Sequence, residues 1–454
     1  MQLKAPLLFG ITALFSITNC AGYRTAANYP EPRSLGKDYK TYQAPAEIPQ
    51  EDTSLLQVEE PVGTLTLRQA LSLALLRNPE LAAFSWEVRA REARAIQASL
   101  LPNPEIEVEL ENFGGSGDVS GFEQTESTIL LSQLIELGGK RRKRTRVAAL
   151  ESDLAAWVFE IKRLDILTDV TQAFLDVQSA QGRLALDIEL VQLAAEFVDI
   201  VSQRVQAGRT APAEESRARV ALSNAQIELG RSQRELESAR KRLAATWGSL
   251  TPQFQQVTGT FGLSQSIPAI DELLELISQN PEIARWGVEM QRRRAVVELQ
   301  EAQKIPDPAI GGGFRRLAES DDNAFVLGLA IPIPIFNRNQ GAASEARLRS
   351  NKAEFERQAT ELRIKTSVAE AYRALSSAFD EASTLQTSVL PEAQKAFDTI
   401  SDGYKQGKFG FLDVLDAQRT LFDSRGQYLR ALRDYHKATA DLERLIGQSL
   451  VSIQ

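Results

Sequence analysis

The chain carries one structural unit written twice. The matching pairs of segments are "RNPELAAF" and "QNPEIARW" (Asn78 with Asn280), "PNPEI" and "PDPAI" (Pro104 with Pro308), and "QAGR" and "KQGK" (Gly208 with Gly407). The distances between the partners are 202, 204 and 199 residues. A nearly constant shift over the whole length indicates an internal duplication. The two halves are predicted to cover residues 64–250 and 267–448.

Each half reads in the same order. A helix interrupted at Asn-Pro is followed by two short strands, a very long helix, a glycine turn and a second long helix. The strands are predicted at about 105–113 and 126–135, and at about 308–316 and 323–333. In the long helices apolar residues recur with the 3,4 spacing of a heptad seam. The seam residues are Val147, Leu150, Leu154, Trp157, Ile161 and Leu164 in the first half, and Leu421, Tyr428, Leu432, Tyr435, Thr439, Leu442 and Ile446 in the last helix.

The first predicted strand has two opposite faces. Ile106, Val108 and Leu110 point to one side, and the other side carries Glu105, Glu107, Glu109 and Glu111. A half-exposed strand of a soluble sheet explains this alternation. A strand in a membrane barrel also explains it, with lipid on the apolar face and a watery lumen lined by the glutamates. An export signal and the small number of strands favour the membrane interpretation.

Four strands per chain are too few to close a membrane barrel, because the smallest such barrels need about eight. The chain is therefore predicted to oligomerise. Two copies would provide eight strands around a filled lumen, and three copies would provide twelve strands around an open channel. The long helices would then continue the barrel as a helical tube.

The N-terminus indicates export. An apolar run from Leu7 to Ile17 follows Lys4, and it is too short to span a bilayer but fits the core of a signal peptide over residues 1–19. The run ends in "ITNC", which resembles the acylation signal of lipoproteins, so Cys20 is the predicted lipidation site; Asn19 stands where a smaller residue is usual. An ordinary signal peptide with an incidental cysteine is the alternative. Residues 20–63 are predicted to be an extended segment tied to the body.

Composition excludes several functions. A net charge of -8 provides no general attraction for nucleic acid. One cysteine and one histidine, His436, leave almost no material for a soft-metal site or a nucleophilic triad. No cofactor motif is found, and the chain is predicted not to be an enzyme.

Repeat, strand placement and glycine turns together resemble the outer-membrane efflux factors of the TolC superfamily. The segments "LPNPEIEVELENFGGSG" and "LSQLIELGGKRRKR" resemble the subgroup that serves heavy-metal exporters of the cobalt-zinc-cadmium type. This resemblance implies a mainly α-helical homotrimer, with a twelve-stranded β-barrel in the outer membrane lipid and an α-helical barrel across the periplasm. It also implies docking to a periplasmic adaptor and an inner-membrane proton-driven RND pump.

The resemblance also implies site residues. The family's D-x-x-D matches Asp413 and Asp416, which would form the pore constriction; acids in the first turn of a helix also simply favour its dipole. Gly208 and Gly407, with Tyr404, would form the tips that dock the adaptor. A tyrosine before the turn and an arginine after it form a latch in family members, but Phe409 occupies the second position here.

The implied function is a passive exit duct for divalent metal cations. Two further functions stay open within the family, which are multidrug export and protein export. Two other classes compete with these, a periplasmic hydrolase on a helical scaffold and a periplasmic coiled-coil tether or adaptor. A tether would show one helical hairpin rather than a duplicated unit with apolar strands.

Overall fold

The computed structural model of the chain describes residues 29–45 and 60–450. The predicted signal peptide and Cys20 lie outside these ranges. Within them, no helix combines the length and the apolar character that crossing a bilayer requires.

The first half begins with a short strand and ends with another. Its elements are β1 (Gly63–Thr66), α1 (Leu67–Arg77), α2 (Pro79–Ser99), β2 (Glu105–Glu111), β3 (Glu126–Leu134), α3 (Lys140–Gln206), α4 (Pro212–Ala245) and β4 (Phe254–Thr258). β1 and β4 pair in parallel, a small sheet that the sequence pattern did not predict. The 67 residues of α3 extend about 100 Å.

The second half repeats this order with one interruption. Its elements are α5 (Ile270–Glu275), α6 (Pro281–Ala302), β5 (Ala309–Leu317), β6 (Asp322–Ala330), α7 (Gln340–Thr384), α8 (Leu390–Lys405) and α9 (Phe411–Ile446). A π-helical segment, Leu385–Val389, joins α7 to α8. Pro391 follows it and has no N–H for a helical hydrogen bond, which explains a local change of winding here. No proline lies within α3, and α3 is continuous.

The repeated asparagines perform the same task in both halves. Asn78 accepts a hydrogen bond from the Leu81 N–H and so caps α2, and its amide donates to the Thr246 carbonyl at 2.8 Å. Asn280 caps α6 in the same way, and its amide donates to the Leu445 carbonyl at 2.9 Å. Each Asn-Pro joint is therefore tied to the end of the last long helix of its own half.

The four longer strands form one antiparallel sheet in the order β2-β3-β5-β6. Three of them lie within two residues of the predicted bounds. β6 ends three residues earlier than predicted, at Ala330. Pro332 and Pro334 follow, and because proline has no N–H it cannot donate to a ladder. β2 and β6 form the two edges of the sheet.

The long helices form a layer with α3 at its centre. α3 packs against α1, α2, α4, α6 and α9, whereas α7 packs against α6 and α9. The N-terminal segment 29–45 crosses α3 and is bound there by Arg163 and Glu160, two α3 residues that form a buried ion pair with each other (2.7 Å). Arg163 donates to the carbonyls of Gly36 and Leu35, and Glu160 accepts from the Arg33 N–H at 2.8 Å.

Candidate functional site

The sheet has one mainly apolar face across its four strands, and the opposite face carries the glutamates of β2. Directly opposed residues share a face, and one such row joins Val108, Ile129, Phe314 and Phe325. The apolar face consists of Ile106, Val108, Leu110, Ile129, Leu131, Ile310, Phe314, Phe325, Leu327 and Leu329, and every one of these side chains is exposed. A continuous patch of ten exposed apolar side chains marks a membrane or protein interaction surface.

The opposite face carries the four glutamates of β2. Moving across the sheet from Glu107, the next residues are Leu130, Gly313 and Val326. The alternation of β3 and β5 looked poor in the sequence because Leu130 lies on this polar face. The glycines of β5 leave room for Leu130 on this face. A Cβ on Gly311 would touch the Leu130 side chain, and a Cβ on Gly313 would overlap the β3 backbone.

Arg315 is the cation of this face, and the sequence pattern gave no signal for it. It donates to Glu126 at 2.8 Å and to the Thr128 hydroxyl at 2.9 Å, and it lies 3.5 Å from Glu111. Glu105, Glu107 and Glu109 form no ion pair with any residue in the described ranges. The polar face therefore keeps three carboxylates that no cation within residues 29–45 and 60–450 neutralises.

A buried ion pair fixes the joint between the sheet and α3. Lys140 donates to Asp307 at 2.7 Å and to the Ile305 carbonyl at 2.5 Å, and Asp307 also accepts from the Leu137 N–H at 2.8 Å. The basic run "KRRKRTR" predicts a solvated helix start. The structure contradicts this at Lys140, which is buried, and it leaves Arg144 partly exposed while Arg144 binds Glu136 and the carbonyls of Ala98 and Leu100.

Both ends of the helical hairpins are glycine turns of the same construction. Gly208 has φ +66° and Gly407 has φ +79°, the left-handed region that glycine adopts without strain. The Arg209 N–H donates to the Arg204 carbonyl at 2.9 Å, and the Lys408 N–H donates to the Gly403 carbonyl at 2.7 Å. The two turns therefore end α3 and α8 in the same way.

Tyr404 lies beside the second turn, but its side chain is only 1% exposed. It packs with Phe197 and Phe411, and the Arg204 guanidinium lies 4.5 Å from the centre of its ring. Arg204 also donates to the Tyr404 carbonyl at 2.6 Å. Burial raises the pKa of the Tyr404 phenol, which Arg204 partly opposes. The cation that meets this tyrosine therefore comes from α3 in the first half.

Phe409 occupies the position of the family arginine. Its ring covers Gly403, where a Cβ would overlap it. At this turn the Phe409 ring therefore packs on Gly403, and the Arg204 guanidinium packs on the Tyr404 ring. Sequence reasoning missed Arg204, because it precedes the first turn, 200 residues away from Tyr404.

Asp413 and Asp416 lie on one exposed side of the first turns of α9. Asp413 accepts a hydrogen bond from the Gly410 N–H at 2.8 Å and so caps the helix. Asp416 makes no ion pair with any described residue. The structure thus gives Asp413 a capping role and leaves the Asp416 carboxylate free on the same side.

His436 is packed rather than exposed. Its ring stacks on Phe261, with 5.5 Å between the centroids, and burial lowers its pKa. Among the described residues, no group of three or more His, Cys, Asp or Glu side chains could hold a metal ion.

Comparisons with known proteins agree with this architecture. A family model described as outer membrane efflux protein matches residues 70–249 and 273–448. The cobalt-zinc-cadmium resistance protein CzcC of Cupriavidus metallidurans is 36% identical over 398 residues, which cover 87% of this chain and 94% of CzcC. The nickel and cobalt resistance protein CnrC of the same organism is 30% identical over 307 residues, covering 65% of this chain and 71% of CnrC.

The chain belongs to the outer membrane efflux protein family. A crystal structure of CusC superposes with a TM-score of 0.72 at 18% identity, covering 90% of this chain and 99% of the CusC chain. The likeness shows the fold, which is mainly helical with a modest sheet. The predicted family and outer-membrane location are confirmed.

Proposed function

We propose that three copies of the chain form one duct that exports divalent heavy-metal cations. The four-stranded sheets would close into a twelve-stranded barrel in the outer membrane, and the long helices would continue it as a tube across the periplasm. The observation that carries this proposal is the sheet itself, which has an exposed apolar face, an acidic face and an unpaired strand at each edge. Four strands cannot close, and about eight is the minimum for a membrane barrel.

The substrate class is supported by two independent features. CzcC and CnrC are named for resistance to cobalt, zinc, cadmium and nickel. On the polar face, Glu105, Glu107 and Glu109 have no cation partner in the described chain, and rings of carboxylates in a watery pore favour cations. The duct would be passive, without an enzymatic step, and its energy would come from an inner-membrane proton-driven RND pump.

The partners follow from the position of the tips. The turns at Gly208 and Gly407 end the helical hairpins on the side opposite the sheet, and we propose that they dock a periplasmic adaptor. Three copies of Asp413 and Asp416 would place six carboxylates around the axis at the tip constriction. Removal of residues 1–19 and lipidation of Cys20 belong to the same proposal.

Deleting the gene in its host tests the substrate. Tolerance to zinc, cobalt, cadmium, nickel and copper is expected to fall, and the wild-type gene should restore it. Unchanged metal tolerance with lost tolerance to organic drugs would assign the duct to multidrug export instead. A protein that washes off membranes in carbonate would be a tether and not a duct.

Ion selectivity in planar bilayers tests the acidic face. Replacing Glu105, Glu107 and Glu109 by Gln together is expected to lower the preference for cations over anions, because these carboxylates are the unpaired charges of the face. Replacing the surface residues Glu345, Glu354 and Glu356 of α7 by Gln is the matched control. Equal selectivity of the two triple variants would contradict a lumen lined by β2.

A further inference from the structure

Neither edge of the four-stranded sheet has a partner strand among the described residues, and the edge of β6 continues past the end of the strand. Ile331 and Ile333 lie beyond β6, and their N–H groups donate to no acceptor in the described chain. The prolines that alternate with them, Pro332 and Pro334, have no N–H. The free donors of this segment are therefore on alternate residues, as on one edge of a strand.

We propose that β6 of one copy pairs with β2 of the next copy in a single register, in which Ala330 lies opposite Glu107. The same register brings the Ile333 N–H to the Pro104 carbonyl of the next copy. The proposal rests on the proposed assembly of several copies, and it names the residues that join them.

The internal duplication supplies the register. β3 and β5 already join the first half to the second within one chain, and Ser132 lies opposite Gly311 there. Ser132 pairs with Glu105 as Ala330 pairs with Ala309, so Ser132 of the first half corresponds to Ala330 of the second. The repeated "PNP" and "PDP" motifs make Glu107 of the first half correspond to Gly311 of the second. In β3 and β5, Ser132 lies opposite Gly311. Transferring this pairing to the corresponding residues of β6 and of β2 in the next copy places Ala330 opposite Glu107.

A backbone hydrogen bond supports the same register. In the seam within the chain, the Ile135 N–H donates to the Pro308 carbonyl at 2.9 Å, just below the last strand pair. The corresponding residues of the seam between copies are Ile333 and Pro104. The Ile333 N–H lacks an acceptor in its own chain, as this correspondence requires.

The side chains fit this arrangement on both faces. On the apolar face, Leu329 of one copy lies opposite Val108 of the next. The pairs on either side are Leu327 with Leu110 and Ile331 with Ile106. On the polar face Glu107 meets Ala330 and Glu109 meets Gly328, which have small uncharged side chains or none. A slip by one residue would turn the glutamates toward the apolar side. The seam therefore adds no neutralising neighbour to Glu107 or Glu109.

The helices below the sheet continue the seam. In the chain α3 packs against α6, and the same repeat step places α7 of one copy against α2 of the next. Leu348, Phe355 and Leu362 are exposed on α7 at intervals of seven residues, the spacing of a coiled-coil stripe. A second copy would cover this stripe.

Cysteine pairs read the register directly. Ala330→Cys with Glu107→Cys is expected to form a disulfide between copies under mild oxidation, shifting the band from one chain to linked chains on a non-reducing gel. The matched pairs Ala330→Cys with Glu105→Cys and Ala330→Cys with Glu109→Cys are displaced by two residues, and diagonal neighbours lie beyond good disulfide geometry. They should cross-link much less.

Two controls complete the experiment. Glu105→Cys with Ser132→Cys joins paired strands of one chain, so its disulfide should leave the mass unchanged and prove that the sheet forms. Each single-cysteine variant reports any background from Cys20.

The outcomes separate the seam from the assembly. Stronger linkage in a displaced pair would overturn the register. Light scattering in detergent measures the number of copies independently. Three copies without any linkage would overturn the seam alone, and one copy would overturn the proposed assembly as well.

Discussion

The long helix α3 of the first half and its counterpart α7 in the second half occupy the same place in the order of elements, but their surroundings differ. α3 is continuous and is covered by helices of both halves and by the N-terminal strap, and it buries an Arg163–Glu160 ion pair. α7 and α8 are separated by a π-helical segment, and α7 exposes an apolar stripe. Duplicated units thus differ because one helix lies in the middle of the layer and the other lies at its edge.

This contrast indicates where the single chain is complete and where it is not. A helix in the middle obtains its burial from its own chain, and it can include charged groups because backbone carbonyls and carboxylates satisfy them. A helix at the edge retains apolar residues that its own chain leaves exposed.

Replacing Arg163 by Met tests the centre of the layer. It leaves the Glu160 carboxylate buried without its cation, and breaking a buried pair costs about 3–5 kcal/mol. The melting temperature of the detergent-solubilised protein should fall sharply. Arg357→Met on α7 is the control, since Arg357 pairs with Glu354 and Glu361 at the surface, where water and salt screen ion pairs and a single pair adds little to stability. Equal losses in the two variants would contradict the contrast.

Replacing Lys140 by Met tests the two joints between sheet and helix. The variant leaves Asp307 without its cation at a mostly buried position, at a cost of about 2–3 kcal/mol in unfolding free energy. Gln340, at the corresponding start of α7, is exposed. Gln340→Met should therefore change the free energy of unfolding little, and a comparable loss there would show that both joints are equally buried.

Replacing Phe355 by Ser tests whether a second copy covers α7. The ring is 70% exposed in one copy, so the single chain predicts almost no effect. If the next copy buries it, the loss is about 1.5–3 kcal/mol, the value of a buried apolar side chain. We expect the heat resistance of the oligomer to drop. Lys352→Ser, on the same exposed helix, is the control. Equal heat resistance of the two oligomers would contradict burial of the stripe by a second copy.

Lowering the pH tests His436, a residue of the second half that its own chain buries. Burial lowers the pKa of His436 below 6.5, so the unfolded chain binds a proton more readily than the folded chain. The contribution of His436 to stability should therefore fall as the pH decreases from about 6.5 toward the lowered pKa. His436→Phe should show a smaller loss of melting temperature over this range. The same pH dependence in both proteins would rule out a buried neutral histidine.

Much of the fold could be predicted from the sequence because its signals are local. The heptad spacing of α3 and α9, the Asn-Pro caps and the alternation of β2 each depend on neighbours within a few residues. The parallel pair of β1 and β4 could not be found in this way. Its strands have four and five residues and lie nearly 190 positions apart, so neither carries a clear pattern.

The charged residues of the site were harder to predict than the glycines. Gly208 and Gly407 follow from turn geometry alone, and their positive φ values agree with it. Lys140, Arg204 and Arg315 obtain their roles from partners in the other half of the duplication. These partners are Asp307 for Lys140, Tyr404 for Arg204, and Glu126 with Thr128 for Arg315. The sequence predicts a solvated helix start at Lys140, because its partner Asp307 lies 167 residues away along the chain.

The sequence by itself determined the duplication, the kinds of elements and the two-faced character of the first strand, since all of these are repeats or periods along the chain. Only the tertiary structure decided the strand order, the ion pairs between the halves and which of the two equivalent long helices is covered. These depend on contacts between residues far apart in the chain, and the free energy of such contacts comes from burial and pairing in space, which no local period records.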